Sequence, residues 1–215
     1  MKLVPIAVIV SLLVMCGSRS AKPQEHSDFS DFISRFDSLR LPISFLRSNA
    51  QRDFDTINRK DPTRPFYQPI EVKYYKYLQN ETVNDKLCQF RFLFASKGGS
   101  FYVVLYEQLG CVTDSRWVKM NTLDSKGKII NTLVLAGGRG NVSEEYGWID
   151  KDWKIKTSFF EFLPDETGTD ALVANNQIEE FTLTSDGQLK KSSSSKQKGY
   201  FTFGEDTNIV PYKKK

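Results

Sequence analysis

The sequence predicts a mainly β domain: an antiparallel meander of seven or eight short strands, strongly twisted or curled, with a short helix at its N-terminal end. Three observations carry this. From Leu87 onward, short runs of alternating apolar and polar residues are divided by turn residues at fairly even intervals, which is how half-buried strands joined by tight turns read. Aromatic residues make up 13%, with 16 Phe and 9 Tyr, and these favour pleated, half-buried surfaces. Ahead of these runs, Phe29, Phe32, Ile33 and Phe36 recur with helical spacing.

The helix is expected to begin at Ser27-Asp28, where either side chain can cap the free amides, and to end before Pro42. Leu39, Leu41, Ile43 and Phe45 alternate as an extended segment does. Residues 47–69 are polar and carry Pro62, Pro65 and Pro69, so they read as a long surface connection. Residues 70–78 fit a short helix slightly better than a strand. Strands are then expected at 87–96 and 100–108 around Gly98-Gly99, and at 116–123 and 128–135 around Asp124-Ser-Lys-Gly127. A further strand at 153–162 follows Asp150-Lys-Asp152. Strands at 177–184 and 188–191 flank Ser185-Asp-Gly187, and one at 199–203 ends the series. Ser192–Ser195 and Lys213–Lys215 read as solvated polar segments. A closed barrel, a sandwich and a curved open sheet all suit this order.

The chain opens with Met-Lys and an apolar run from Leu3 to Met15, too short to span a bilayer as a helix, which needs about 20 residues. Residues 1–15 therefore read as a signal peptide, 16–26 as a tether holding the single histidine, His26, and 27–215 as one domain. Cys16, directly after the apolar run with Leu13 three residues before it, resembles the lipobox of bacterial lipoproteins. That resemblance implies a Cys16 bearing acyl chains such as palmitate. Met15 departs from the small residue usual before that cysteine, and cleavage after Ser18 or Ser20 is the alternative. Export leaves Cys88 and Cys111 as an even pair in an oxidising compartment, and a disulfide between them is expected. A turn at Gly99-Ser100 would place them directly opposite, on one apolar face with Phe90, Phe92, Phe94, Val103, Leu105 and Leu109; a turn at Gly98-Gly99 would make them diagonal neighbours.

The hairpin sequences Leu123-Asp-Ser-Lys-Gly-Lys-Ile-Ile-Asn-Thr-Leu-Val-Leu-Ala-Gly137 and Leu183-Thr-Ser-Asp-Gly-Gln-Leu189 follow the opening Phe32-Ile-Ser-Arg-Phe-Asp-Ser-Leu-Arg-Leu-Pro42. Together they resemble exported lipoproteins of the Bacteroidota over most of the mature chain. The resemblance implies a location in the bacterial cell envelope, at the outer membrane, and a mainly β fold. It brings no established activity.

Composition narrows the chemistry. A formal net charge of +4 is too small to argue for nucleic acid as a partner. One histidine, placed before the first structured element, leaves Ser-His and Cys-His catalysis without a base, and the scattered cysteines do not make a zinc site. Gly137-Gly-Arg-Gly140 lacks the endings of nucleotide-binding loops, and Asp165–Asp170 misses calcium-loop spacing. No cofactor or metal is expected. Asn80 and Asn141 head glycosylation sequons, which matter only in a eukaryotic source. The least ordinary stretch is Glu144, Glu145, Tyr146, Trp148, Asp150, Asp152 and Trp153, where an aromatic face with adjacent acids suits a sugar or peptide. In the plainer alternative both tryptophans are half-buried strand residues and the acids face solvent. The candidate ligand-binding surface is accordingly Tyr146, Trp148, Trp153, Glu144, Glu145 and Asp150.

These readings point to a lipid-anchored envelope protein that is not an enzyme and binds a protein or glycan partner. The alternative is a carboxylate-dependent glycan hydrolase, whose two carboxyl groups would sit about 5–10 Å apart in a cleft.

Overall fold

The structure, a computed structural model, describes residues 24–45, 68–78, 88–109, 115–139, 142–164, 171–203 and 209–212. A helix, α1 (Gln24–Ser34), leads into β1 (Asp37–Ser38) and β2 (Ile43–Phe45), and a 3-10 helix spans Val72–Tyr77. The meander follows as β3 (Gln89–Gly98), β4 (Phe101–Leu109), β5 (Ser115–Asp124), β6 (Ile129–Arg139), β7 (Ser143–Ile149), β8 (Lys154–Phe162), β9 (Leu172–Leu183), β10 (Leu189–Phe203) and β11 (Ile209–Pro211). They form one open, mostly antiparallel sheet in which consecutive strands from β3 to β11 are neighbours, β1 adds in parallel at β3, and β2 pairs with β7.

The expected fold class holds, and several details differ. The described residues hold eleven strands rather than seven or eight. Three of these are two- or three-residue strands, and β7 occupies the segment read as an acid–aromatic cluster. The serine tract 192–195 is the middle of a 15-residue strand: β10 pairs with β9 from Leu189 to Phe201, so backbone pairing overrides weak side-chain propensity. The helix starts at Gln24, inside the segment read as a tether, so His26 lies in its first turn. The 3-10 helix matches the short helix expected at 70–78.

Among the described residues β6 and β7 pair at only three positions, Gly137–Glu145, Gly138–Glu144 and Arg139–Ser143, and β2 pairs with β7 at Gly147–Ile149. There the chains pass so closely that a Cβ on Gly147 would lie 2.3 Å from the Leu135 carbonyl oxygen. The sheet therefore splays into β3–β6 and β7–β11, and the main core draws Val103, Leu105, Val118 and Met120 from the first part and Ile149, Ile155, Phe181 and Leu183 from the second. Curling brings the β9–β10 turn back over the first part, where Asn131 Nδ2 donates to the Gly187 carbonyl at 3.2 Å. Fully buried side chains of this size contribute roughly 1.5–3 kcal/mol each.

The β3–β4 hairpin turns at Gly99-Ser100, since Gly98 pairs with Phe101. A bulge between Phe92 and Phe94 then breaks the alternation and shifts the register by one, so that Gln89 rather than Phe90 faces Leu109; neither the single apolar face expected for Phe90, Phe92 and Phe94 nor the direct opposition of positions 88 and 111 expected from this turn carries through. Leu93 and Phe94 enter the main core, whereas Cys88, Phe90 and Phe92 join a second cluster with Val104, Tyr106 and Leu123. That cluster seats α1 and the 3-10 helix through Phe29, Phe32, Phe36, Tyr74 and Tyr77.

A polar clamp holds the 3-10 helix to the sheet. Asn121, fully buried on β5, donates through Nδ2 to the carbonyls of Tyr77 (3.2 Å) and Leu78 (2.9 Å), and the Tyr106 hydroxyl donates to Leu78 at 2.8 Å. Burial pushes the Tyr106 hydroxyl well above the ordinary tyrosine range, so it stays a donor. Asn121→Ala leaves the Tyr77 carbonyl buried without this donor, and is expected to cost about 2 kcal/mol, or roughly 5 °C in Tm. An unchanged thermal midpoint would contradict this.

Candidate functional site

Strand alternation divides the six residues read as a ligand surface. Glu144, Tyr146 and Trp148 share one face of β7, and Glu145 lies on the other. Tyr146 is 4% exposed, packs against Phe160 with ring centroids 5.8 Å apart, and donates its hydroxyl to Glu144. Trp148 is half-buried against the same third cluster of Tyr146, Phe160, Ala174, Phe201 and Ile209.

Asp150 is a turn residue whose Oδ1 accepts from the amides of Asp152 (2.8 Å) and Lys154 (2.9 Å). Asp124 does the same for Lys126 and Lys128 in the β5–β6 turn. Three residues after the turn's first residue, three hairpins need a left-handed backbone: Gly127 (φ 84°) and Gly187 (φ 83°) supply it freely, while Trp153 adopts it at φ 59°. Trp153 packs half-buried against the main core, which offsets the backbone cost. The acid–aromatic cluster thus becomes a buried tyrosine, a packed tryptophan and a turn, and Glu145 alone reaches a polar site.

That site lies along β7–β10. Register aligns Ile149, Ile155 and Phe181 across β7, β8 and β9; the next row is Gly147, Thr157, Glu179 and Ser194, and the next is Glu145, Phe159, Gln177 and Lys196. One face therefore passes from apolar core to a polar patch within two rows. Glu179 Oε1 accepts from Lys191 Nζ at 2.6 Å, Gln177 Nε2 at 2.8 Å and Ser194 Oγ at 3.4 Å. The Lys191 ammonium bond is the main reason the Glu179 carboxyl is held below the usual range. Glu145 behaves oppositely: burial, then the Glu179 charge, push it up to about 7 against a hydrogen bond from Thr157. Two carboxyls on one face are thus driven apart, one half-protonated at neutral pH and one ionised, so the patch both donates and accepts hydrogen bonds.

A second polar constellation crosses β3, β4 and β5. Glu107, fully buried, accepts from Arg116 Nε and lies 3.5 Å from Arg91 Nη1. Both guanidinium side chains are about one-third exposed, so the triad runs from core to surface and ties three strands together. Neither constellation was named from sequence. An acid inside the apolar run Val103–Leu109 was the visible signal for Glu107, while Thr157, Gln177, Glu179 and Lys191 meet only through register.

An open groove of about 350 Å³ lies between α1 and the β4 surface, lined by Phe29, Ser30, Ile33, Ser34, Tyr102 and Ser125, and neither Trp148 nor Trp153 reaches it. Among the described residues, no three His, Cys, Asp or Glu side chains gather where a metal ion could be held, and no helix is long and apolar enough to cross a membrane. Cys16 and Cys111 lie outside the described residues; Cys88 is buried just before β3. No family model matches the chain, and neither the curated proteins nor the solved structures contain a match to it.

Proposed function

We propose that this protein is an exported, lipid-anchored component of a bacterial cell envelope, of the kind its hairpin and lipobox-like sequences resemble, and that its β domain binds a hydroxyl-rich glycan without cleaving it. The observation that carries the binding reading is the Glu145–Glu179 patch, where a carboxyl near its midpoint, an ionised carboxylate, an amide and an ammonium present donors and acceptors together. Both acids project from one face of one sheet. A hydrolase needs its two carboxyls to flank the bond inside a cleft, whereas the groove of about 350 Å³ lies between α1 and β4, away from both acids, which favours holding a glycan over cutting it.

Titration calorimetry with a panel of soluble cell-wall and capsular oligosaccharides tests the proposal. Saturable binding that Glu179→Gln abolishes, and that weakens as pH rises through 7, is the expected result. Release of new reducing ends would favour the hydrolase, and absence of binding across the panel would overturn the reading.

Export carries two covalent expectations, acyl chains on Cys16 and a Cys88–Cys111 disulfide. The last β3–β4 pair, Gln89–Leu109, leaves Cys88 one residue and Cys111 two residues beyond the ladder, close enough in sequence for short connections to meet. In the chain-entropy model such a bridge stabilises by about 3 kcal/mol. Intact mass of the membrane-extracted chain reads both features: acylated Cys16, and a gain of two hydrogens on reduction. An unacylated start at Arg19 or Ala21, or no mass change on reduction, would contradict the respective expectation.

A further inference from the structure

Strand β10 pairs with β9 along most of its length but meets β11 only at Phe201–Phe203. Residues 190–198 are all exposed. Past the bulge between Lys191 and Ser193, residues 193–199 continue in unbroken register with β9, from Ser193–Glu180 to Gly199–Ala174. Among the described residues nothing pairs with their outer side, so alternate backbone N–H and C=O groups there face outward. Such an edge is a template for another strand, and edges are usually kept short for that reason.

We propose that the outer edge of β10 receives an extended acidic segment of another protein, which joins the sheet as an additional strand. The charge of the edge selects this occupant. Between Leu189 and Phe203 the strand carries Lys190, Lys191, Lys196 and Lys198 and no acid. Lys191 is neutralised by Glu179, while Lys196 and Lys198 form no ion pair among the described residues. These two share a face, so a partner with acids two residues apart would meet both. A second copy of this chain would set one row of lysines against another, which disfavours self-pairing. The short serine side chains at 193–195 leave the backbone accessible, so main-chain bonds would supply affinity and the lysines specificity. Lys196 stands at the end of the Glu145 row of the polar patch and Lys198 one row beyond it, so the exchange readout along residues 193–199, rather than glycan binding, tests this interaction.

The full-length protein, isotope-labelled, is titrated with a capped Glu-Val-Glu-Thr-Glu-Val peptide and with its Lys-for-Glu counterpart. The acidic peptide is expected to slow amide exchange across residues 193–199, and the basic one not to. Lys196→Glu with Lys198→Glu should weaken the acidic peptide roughly tenfold and admit the basic one. Of Ser194→Pro and Ser195→Pro, one removes an outward N–H without touching the β9 ladder, and that variant should fold yet lose the protection. Four results would overturn the proposal: no protection at millimolar peptide, protection confined to other strands, binding indifferent to charge reversal, or dimerisation through this edge.

Discussion

Glu107→Gln is expected to lower the unfolding free energy by about 2–3 kcal/mol, a large share of the ~5–15 kcal/mol typical of a domain. The side chain is fully buried; Arg116 donates to one oxygen, and Arg91 stands 3.5 Å from the other, which accepts no hydrogen bond among the described residues. Replacing its charge with an amide removes the buried anion that both guanidinium groups face at the centre of three paired strands. Desolvation of the original carboxylate was already costly, so the loss is smaller than the attraction between the charges alone would give. A triple replacement by apolar residues of similar volume, Arg91→Met with Glu107→Leu and Arg116→Met, should accordingly recover most of the stability. Urea denaturation of both variants checks the pair of expectations. A single variant within about 1 kcal/mol of the wild type would show that the carboxylate does not hold these strands.

The second large effect runs in the opposite direction. Glu145→Gln is expected to stabilise the protein at alkaline pH by about 2–3 kcal/mol and to have little effect near pH 4. The folded carboxyl titrates at about 7, above its ordinary 4.5, chiefly because it is buried and secondarily because Glu179 is charged nearby. Below 4.5 both folded and unfolded chains hold the proton, so no penalty exists. Between 4.5 and 7 the unfolded chain has released its proton while the folded one keeps it, and stability falls as pH rises. Above 7 the full penalty applies, about 1.4 kcal/mol per pH unit of displacement, discounted because the carboxyl is not wholly buried. The amide variant never ionises and escapes this loss. Melting temperatures of the two proteins should therefore converge near pH 4 and separate by roughly 5–10 °C at pH 8.5. Curves that stay parallel across this range would mean that Glu145 titrates normally.

Sequence periodicity read correctly wherever one physical signal acted alone. Phe29 and Phe32, at helical spacing, sit on the buried side of α1, and Phe36 is buried just past its end; the Asp124 and Thr184 turns, each with glycine at its fourth position, join strands as expected. Reading failed where backbone geometry overrode side-chain pattern. One inserted residue in β3 sends Phe92 and Phe94 to different clusters, and no local feature of the Phe-rich run marks the insertion. At Trp153 the turn chemistry of Asp150 forces a left-handed conformation on a residue that composition alone presents as a binding aromatic.

By itself the sequence determined the class of this protein: alternation and turn residues act over a few positions, so a meander with a helical N-terminal segment is written locally. What the tertiary structure decided is which residues meet. Glu145, Thr157 and Glu179 come from three strands and share a patch only through the pairing register of β7, β8 and β9, and Arg91, Glu107 and Arg116 do so across β3, β4 and β5. Register is a long-range property, set by bulges, glycines at close approach and the packing of the core, and a one-residue shift would send every one of these side chains to the opposite face.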